Sequence, residues 1–182
     1  PKQPSGNPRM RKAADALAKA GHRVHVLYAY NANWATQADV EILSQAKWTW
    51  ERIGGHPEEA KFNYFLSRLK RKLAEIMGIT KHAMCRSFED YVYRGIKWKP
   101  DIVIGHNPGA LGPLVAIGNK LTIPTLFDAE DYHRGEFALH SKESLRVQKL
   151  EDECIPHIAA MTAASPLIAK TYGSLYPQHE VT

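Results

Sequence analysis

Cysteine is scarce in this 182-residue chain: Cys85 and Cys154 stand far apart, without metal-ligand or redox spacing. That excludes a disulfide scaffold and a zinc ribbon, and it reads as two reduced thiols in a cytosolic protein. Long hydrophobic runs are absent as well. No apolar stretch approaches the roughly 20 residues that cross a bilayer, and Pro1-Lys-Gln-Pro-Ser-Gly-Asn-Pro8 has no apolar leader core. No complete G-x-G-x-x-G or Walker loop occurs, which weighs against a dinucleotide oxidoreductase. The aromatics form no stacking platform, so nucleic acid has only the net charge in its favour and is not expected as a partner. No repeat or low-complexity segment is found.

The chain that remains is 44% hydrophobic and 24% charged, an ordinary globular composition long enough for one sizeable core. Its formal charge of +5 favours anionic partners such as nucleotides, phosphorylated substrates or a membrane surface. An excess of this size is equally common on proteins that bind none of these.

Helix and strand signals alternate, which predicts an α/β fold with a mostly parallel, doubly wound sheet and helices on both faces. Asn7-Pro8 opens a first helix that Gly21 closes. Strands are expected at Arg23–Tyr30, Lys47–Glu51, Asp101–Gly105, Thr125–Ala129 and Ile158–Ala163. Helices are expected at Asp39–Gln45, Glu58–Met77, Phe88–Tyr93, Ala110–Leu121, Ser141–Cys154 and from Ser165-Pro166 to about Tyr172. A doubly wound domain ordinarily begins with a strand feeding its first glycine loop. This chain begins at the loop, so a first strand is read as missing, and another strand is expected to begin near Val181-Thr182.

Three loops fall at the carboxyl ends of the expected strands, where open α/β sheets place ligands. In Ser5-Gly6-Asn7-Pro8-Arg9 a glycine, a helix N-terminus and a guanidinium suit a phosphate or sugar hydroxyl, and equally describe a plain capping loop. In Gly105-His106-Asn107-Pro108-Gly109, His106 can hold or exchange a proton near neutral pH, while Asn107 can simply cap the next helix. In Phe127-Asp128-Ala129-Glu130-Asp131-Tyr132-His133, three acids within four positions can bind sugar hydroxyls, act as a general base or hold a metal. They are also compatible with a solvated acidic turn. Finally, Lys61, Arg68, Lys70, Arg71 and Lys72 surround the apolar stripe Phe62, Phe65, Leu66, Leu69, Leu73, Ile76 and Met77. Such a helix either packs its stripe on the sheet or lies on an anionic membrane.

The ordered set Asn7-Pro8-Arg9, Ala14-Asp-Ala-Leu17, Ala20-Gly-His-Arg-Val-His-Val26, Asp101-Ile-Val-Ile-Gly-His-Asn107, Phe127-Asp-Ala-Glu-Asp-Tyr-His133 and Ala163-Ala-Ser-Pro-Leu-Ile168 resembles a known family. It is similar to the N-terminal Rossmann-like domain of GT-B fold glycosyltransferases, in particular a bacterial branch of the retaining family 4 group. The likeness touches nearly the whole chain in the right order. It implies that residues 1–182 are a single domain, the acceptor-side half of a two-domain enzyme whose donor-binding C-terminal domain is not included. Alone, this half is expected to be inactive as a hexosyltransferase. The resemblance implies a nucleotide-sugar donor as co-substrate, no bound cofactor or metal, and a glycan or lipid-linked acceptor in polysaccharide synthesis. It places Gly6, Asn7 and Arg9 at the donor diphosphate, and has His106 and Asn107 line the cleft. Asp128, Glu130 and Asp131 meet the transferred sugar or acceptor, with His133 in the same loop and Ser165 capping a helix directed at that cleft. Members commonly carry a histidine where this chain has Asp128 to Asp131. Alternatives are a nucleotide-sugar epimerase of the same fold, or a non-catalytic module that docks at the inner face of the membrane through Lys70, Arg71 and Lys72.

Overall fold

The computed structural model describes residues 2–182. The chain divides into two compact units, Pro1–Arg68 and Leu69–Thr182. Each has a parallel sheet with strands and helices alternating along the chain, the expected Rossmann-like α/β organisation.

The first unit opens with a 3-10 turn at Pro4–Gly6, then α1 (Pro8–Lys19), β1 (His25–Ala29), α2 (Asn33–Gln45), β2 (Thr49–Ile53) and the start of α3 (Lys61–Ile76). Asn7 caps α1 as expected: its Oδ1 accepts from the Met10 N–H at 3.0 Å, and Pro8 fills the first helical position. Met10 and Ala14 then pack on Val26 and Trp48. Several expected boundaries move, two of them for a visible reason. Strand β2 starts at Thr49 because Trp48 turns into the core and its indole N–H donates to Asp15 (2.8 Å). Helix α2 starts six residues before Asp39, because Asp39 is an interior residue of the helix rather than its start.

In the second unit α3 leads to α4 (Thr80–Met84), α5 (Phe88–Trp98), β3 (Val103–His106), α6 (Pro108–Leu121), β4 (Thr125–Ala129), α7 (Lys142–Cys154), β5 (Ala160–Ala163) and α8 (Pro166–Leu175). The three strands pair in parallel in sequence order, with His106 beside Asp128 and Asp128 beside Thr162. Beyond α8, Val181 forms a parallel bridge to Met161, where a further strand was expected to begin. Leu111 and Leu114 of α6, Phe127, Leu150, Met161 and Tyr172 form one buried cluster. A Cβ on Gly105 would sit 3.1 Å from Leu114 Cδ2 and 3.3 Å from the Ala110 Cβ, so β3 and α6 pack closely there and a larger residue would need these side chains to give way. Cys85 and Cys154 are both free and buried, and burial pushes the Cys154 thiol up to about 11.

The apolar stripe of α3 corrects the packed alternative. The helix is there, but Phe62, Phe65, Leu69, Leu73, Ile76 and Met77 are all exposed, whereas Ser67 and Ala74 are buried. Its inward face is the small-residue side. No helix among the described residues is long and apolar enough to cross a membrane.

Candidate functional site

Parallel pairing sets the carboxyl ends of β3, β4 and β5 along one edge of the second unit's sheet. Asn107 and α6 come after β3 at that edge, Glu130 and Asp131 after β4, and Ser165 and α8 after β5. His106, the last residue of β3, presents Nδ1 3.2 Å from Asp128 Oδ2 and 3.3 Å from Glu130 Oε1. The three side chains are 10%, 9% and 13% exposed, enough shielding for their charges to act strongly on one another. Burial pulls the His106 pKa down, but the two carboxylates outweigh it and the pKa is raised. An imidazolium between two carboxylates leaves the cluster with one net negative charge.

The two acids are not equivalent. Asp128 lies within β4 and also accepts from the Thr162 hydroxyl on β5 at 2.8 Å, so its carboxylate is held by both neighbouring strands. Glu130 lies just past the strand, where its backbone N–H turns back to the Asp128 carbonyl (3.1 Å). Asp128 is held from within the sheet, whereas Glu130 stands past the strand end. The same three residues each offer one donor atom within 4.8 Å of the others, a spacing that a divalent ion can also bridge.

Asn107 comes next, with φ 66 and ψ 154, a conformation that favours glycine. Its side chain does not cap α6, so the capping alternative does not hold. Asn107 Nδ2, His106 Nδ1 and Glu130 Oε1 are all shut off from solvent without a hydrogen bond of good geometry. Buried polar groups usually find a partner.

The remaining predicted residues are placed differently. Asp131 is exposed and outside this cluster. His133 is turned inward: it is 2% exposed, its Nδ1 meets the Glu136 carboxylate, and its backbone N–H donates to the Tyr172 hydroxyl (3.2 Å). Ser165 is a helix cap, its Oγ accepting from the Ile168 N–H at 3.3 Å. Lys70, Arg71 and Lys72 lie exposed on α3.

Gly6, Asn7 and Arg9 belong to the first unit. The turn at Pro4–Gly6 is fastened by buried Gln3, whose Oε1 accepts from the N–H groups of Asn31 (2.7 Å) and Ala32 (2.8 Å) just past β1. Gln3 Nε2 donates to Asp39 Oδ2 (3.0 Å), and Asp39 Oδ1 accepts from the Ser5 N–H (2.8 Å). This places the glycine loop at the carboxyl end of β1. A Cβ on Gly6 would meet nothing within 4 Å, so the fold itself does not require glycine there.

Sequence reasoning missed the network that holds the loop after Glu130. Arg134 Nε donates to Glu151 Oε2 (2.7 Å), and Arg134 Nη2 donates to Asp152 Oδ1 (2.6 Å) and the Tyr176 hydroxyl (2.7 Å). The Tyr172 hydroxyl donates to Glu151 Oε1 at 2.7 Å. Burial pushes the Glu151 carboxyl up against the opposing pull of Arg134 and Tyr172. Only one signal was available: Glu151 on the otherwise apolar stripe Val147-Leu150-Cys154 of α7.

A family model described as a glycosyl transferase 4-like domain matches residues 6–181. No curated protein and no solved structure matches the chain.

Proposed function

The chain belongs to the glycosyl transferase 4-like domain family, and from that membership we propose that it is the acceptor-side domain of a hexosyltransferase. In this reading the complete enzyme moves a sugar from a nucleotide-sugar to a glycan or lipid-linked acceptor. The observation that carries the assignment to a site is the His106–Asp128–Glu130 cluster, with unsatisfied buried atoms at the carboxyl ends of adjacent parallel strands.

Glycosyl transfer breaks the bond from the sugar's anomeric carbon to the departing nucleoside diphosphate and forms a new one to an acceptor oxygen, which loses its proton. Glu130 accepts a hydrogen bond from a sugar or acceptor hydroxyl and thereby orients it. Asp128, anchored by Thr162, keeps His106 protonated at Nδ1 so that Glu130 stays in place. The Asn107 amide supplies a further donor beside it. Positive charge at Arg9, at the N-terminal end of α1, suits an anionic group.

The test uses the complete enzyme with a panel of nucleotide-sugars and release of the nucleoside diphosphate as readout. Glu130→Gln and His106→Ala are expected to lower kcat by about 10²-fold or more, while circular dichroism and the unfolding midpoint change little. Undiminished turnover in both variants would remove this cluster from the reaction.

A further inference from the structure

Nothing in the backbone calls for glycine at position 135. Gly135 ends the 3-10 turn His133–Gly135 and does not lie at positive φ, so alanine could adopt the same conformation. What a side chain would meet there is the ring of Tyr132: a Cβ on Gly135 would stand 2.5 Å from Tyr132 Cδ1 and 2.9 Å from its Cε1. The same ring packs edge-on against Tyr172, with centroids 5.6 Å apart and planes at 65°. Tyr172 is completely buried and its hydroxyl donates to Glu151, which makes it a firm support. Tyr132 is therefore held in one place, yet it remains 36% exposed. A ring held only for packing would gain most by turning fully inward, because aromatic side chains stabilise through the area they bury. This one stays out.

Its position matters as much. Tyr132 stands two residues beyond Glu130, in the loop that leaves the carboxyl end of β4. A sugar ring carries hydroxyls around its rim and patches of C–H on its faces. A carboxylate accepts from the rim hydroxyls, and the negative face of an aromatic ring attracts the C–H patch. We infer that Tyr132 is the platform on which a sugar ring of the acceptor stacks, while Glu130 accepts from a hydroxyl at its rim. The reacting unit of the acceptor is then a pyranose with an unbroken C–H face, since an axial hydroxyl on that face would push it off the ring. Gly135 is a positioning residue that acts through Tyr132. The inference rests on the proposed reading of Glu130 as the carboxylate that orients a sugar or acceptor hydroxyl.

Saturation-transfer NMR on the complete enzyme tests it without donor and without turnover, using methyl β-glucoside, methyl β-galactoside and methyl α-mannoside as probes. The parent and Tyr132→Phe are expected to pass saturation to the C–H protons of at least one glycoside. Tyr132→Leu and Gly135→Ala are each expected to lower that transfer about fivefold, the worth of one aromatic contact. Gly135→Ala leaves Tyr132 in the chain and displaces only its ring, so a loss there, at an unchanged unfolding midpoint, comes from the ring's position. In transfer assays the acceptor KM should rise about fivefold in both variants while the nucleotide-sugar KM stays put. Saturation reaching no glycoside, equal transfer by Tyr132→Leu, or a change confined to the nucleotide-sugar KM would overturn the inference, the last by giving the ring to the donor. Glycosides that bind as expected to an enzyme that transfers no sugar would defeat the proposed reaction and leave the stacking site standing.

Discussion

Replacing Arg134 with methionine is expected to destabilise the protein by about 3 kcal/mol, the low end of the cost of stranding one partner of a buried ion pair. Glu151 is completely buried, and without Arg134 its carboxylate keeps only the Tyr172 hydroxyl. The low end applies because the other acidic partner, Asp152, is 60% exposed and turns to water when released. With urea slopes of about 1–3 kcal/mol/M for small proteins, the unfolding midpoint should fall by about 1–3 M. The loss should also deepen with pH. Burial already raises the Glu151 pKa, and removing the guanidinium raises it further. A carboxyl whose folded pKa lies above its unfolded one favours folding while protonated and loses that contribution as pH climbs through the folded value. Glu151→Leu should strand Arg134 at a comparable cost, whereas the double variant Arg134→Met/Glu151→Leu should recover to within about 1 kcal/mol of the parent. Urea titrations of all four proteins form a double-mutant cycle. Single losses below about 1 kcal/mol, or a double variant that simply adds them, would refute the reasoning.

The His106 cluster gives two further expected outcomes. Its pKa is raised from 6.5, so its stabilising contribution is complete below about pH 6.5 and disappears as pH rises through the folded value. His106→Gln should therefore flatten the dependence of unfolding free energy on pH across that window, and an unchanged slope in denaturation curves would contradict the ion pairs. If the proton on His106 Nδ1 holds the two carboxylates together, no cation is needed, and sugar transfer by the complete enzyme should survive EDTA. Activity lost to the chelator and restored by a divalent ion would instead make His106, Asp128 and Glu130 metal ligands.

Much of this molecule was legible because local signals agreed with tertiary packing. Pro8, Gly21, Ser141 and Ser165 mark helix ends where the chain places them, and Thr125–Ala129 is a strand from end to end. Failures came where a residue's partner is distant in sequence. Asp39 has the composition of a helix start, yet its role is to hold Ser5 and Gln3, more than thirty positions away. His133 sits in an acidic loop and reads as a surface ligand, but Phe127, Glu136 and Tyr172 draw it inside. The α3 periodicity identified an amphipathic helix correctly. Periodicity does not say which face meets the protein, and here small residues do, leaving the apolar side outward. His106 and the acids after Phe127 were each recognisable, and parallel pairing of β3 with β4 turned separate candidates into one cluster.

Asn107 separates a functional reading of that cluster from a structural one. Holding a non-glycine residue at φ 66 and ψ 154 costs about 1–3 kcal/mol. A structural asparagine at a helix start would offset part of that by capping, since its oxygen can satisfy a free N–H of the first turn. Asn107 does not cap, and its amide nitrogen is buried without a partner, so strain and an unmet donor fall on the same residue. The close approach of Gly105 to Ala110 and Leu114 lies two residues before this turn. It does not explain why the turn carries asparagine, when glycine would adopt the same backbone without strain. On the proposed function, a ligand that accepts from the Asn107 amide would offset both costs, at the residue that follows His106 in the chain.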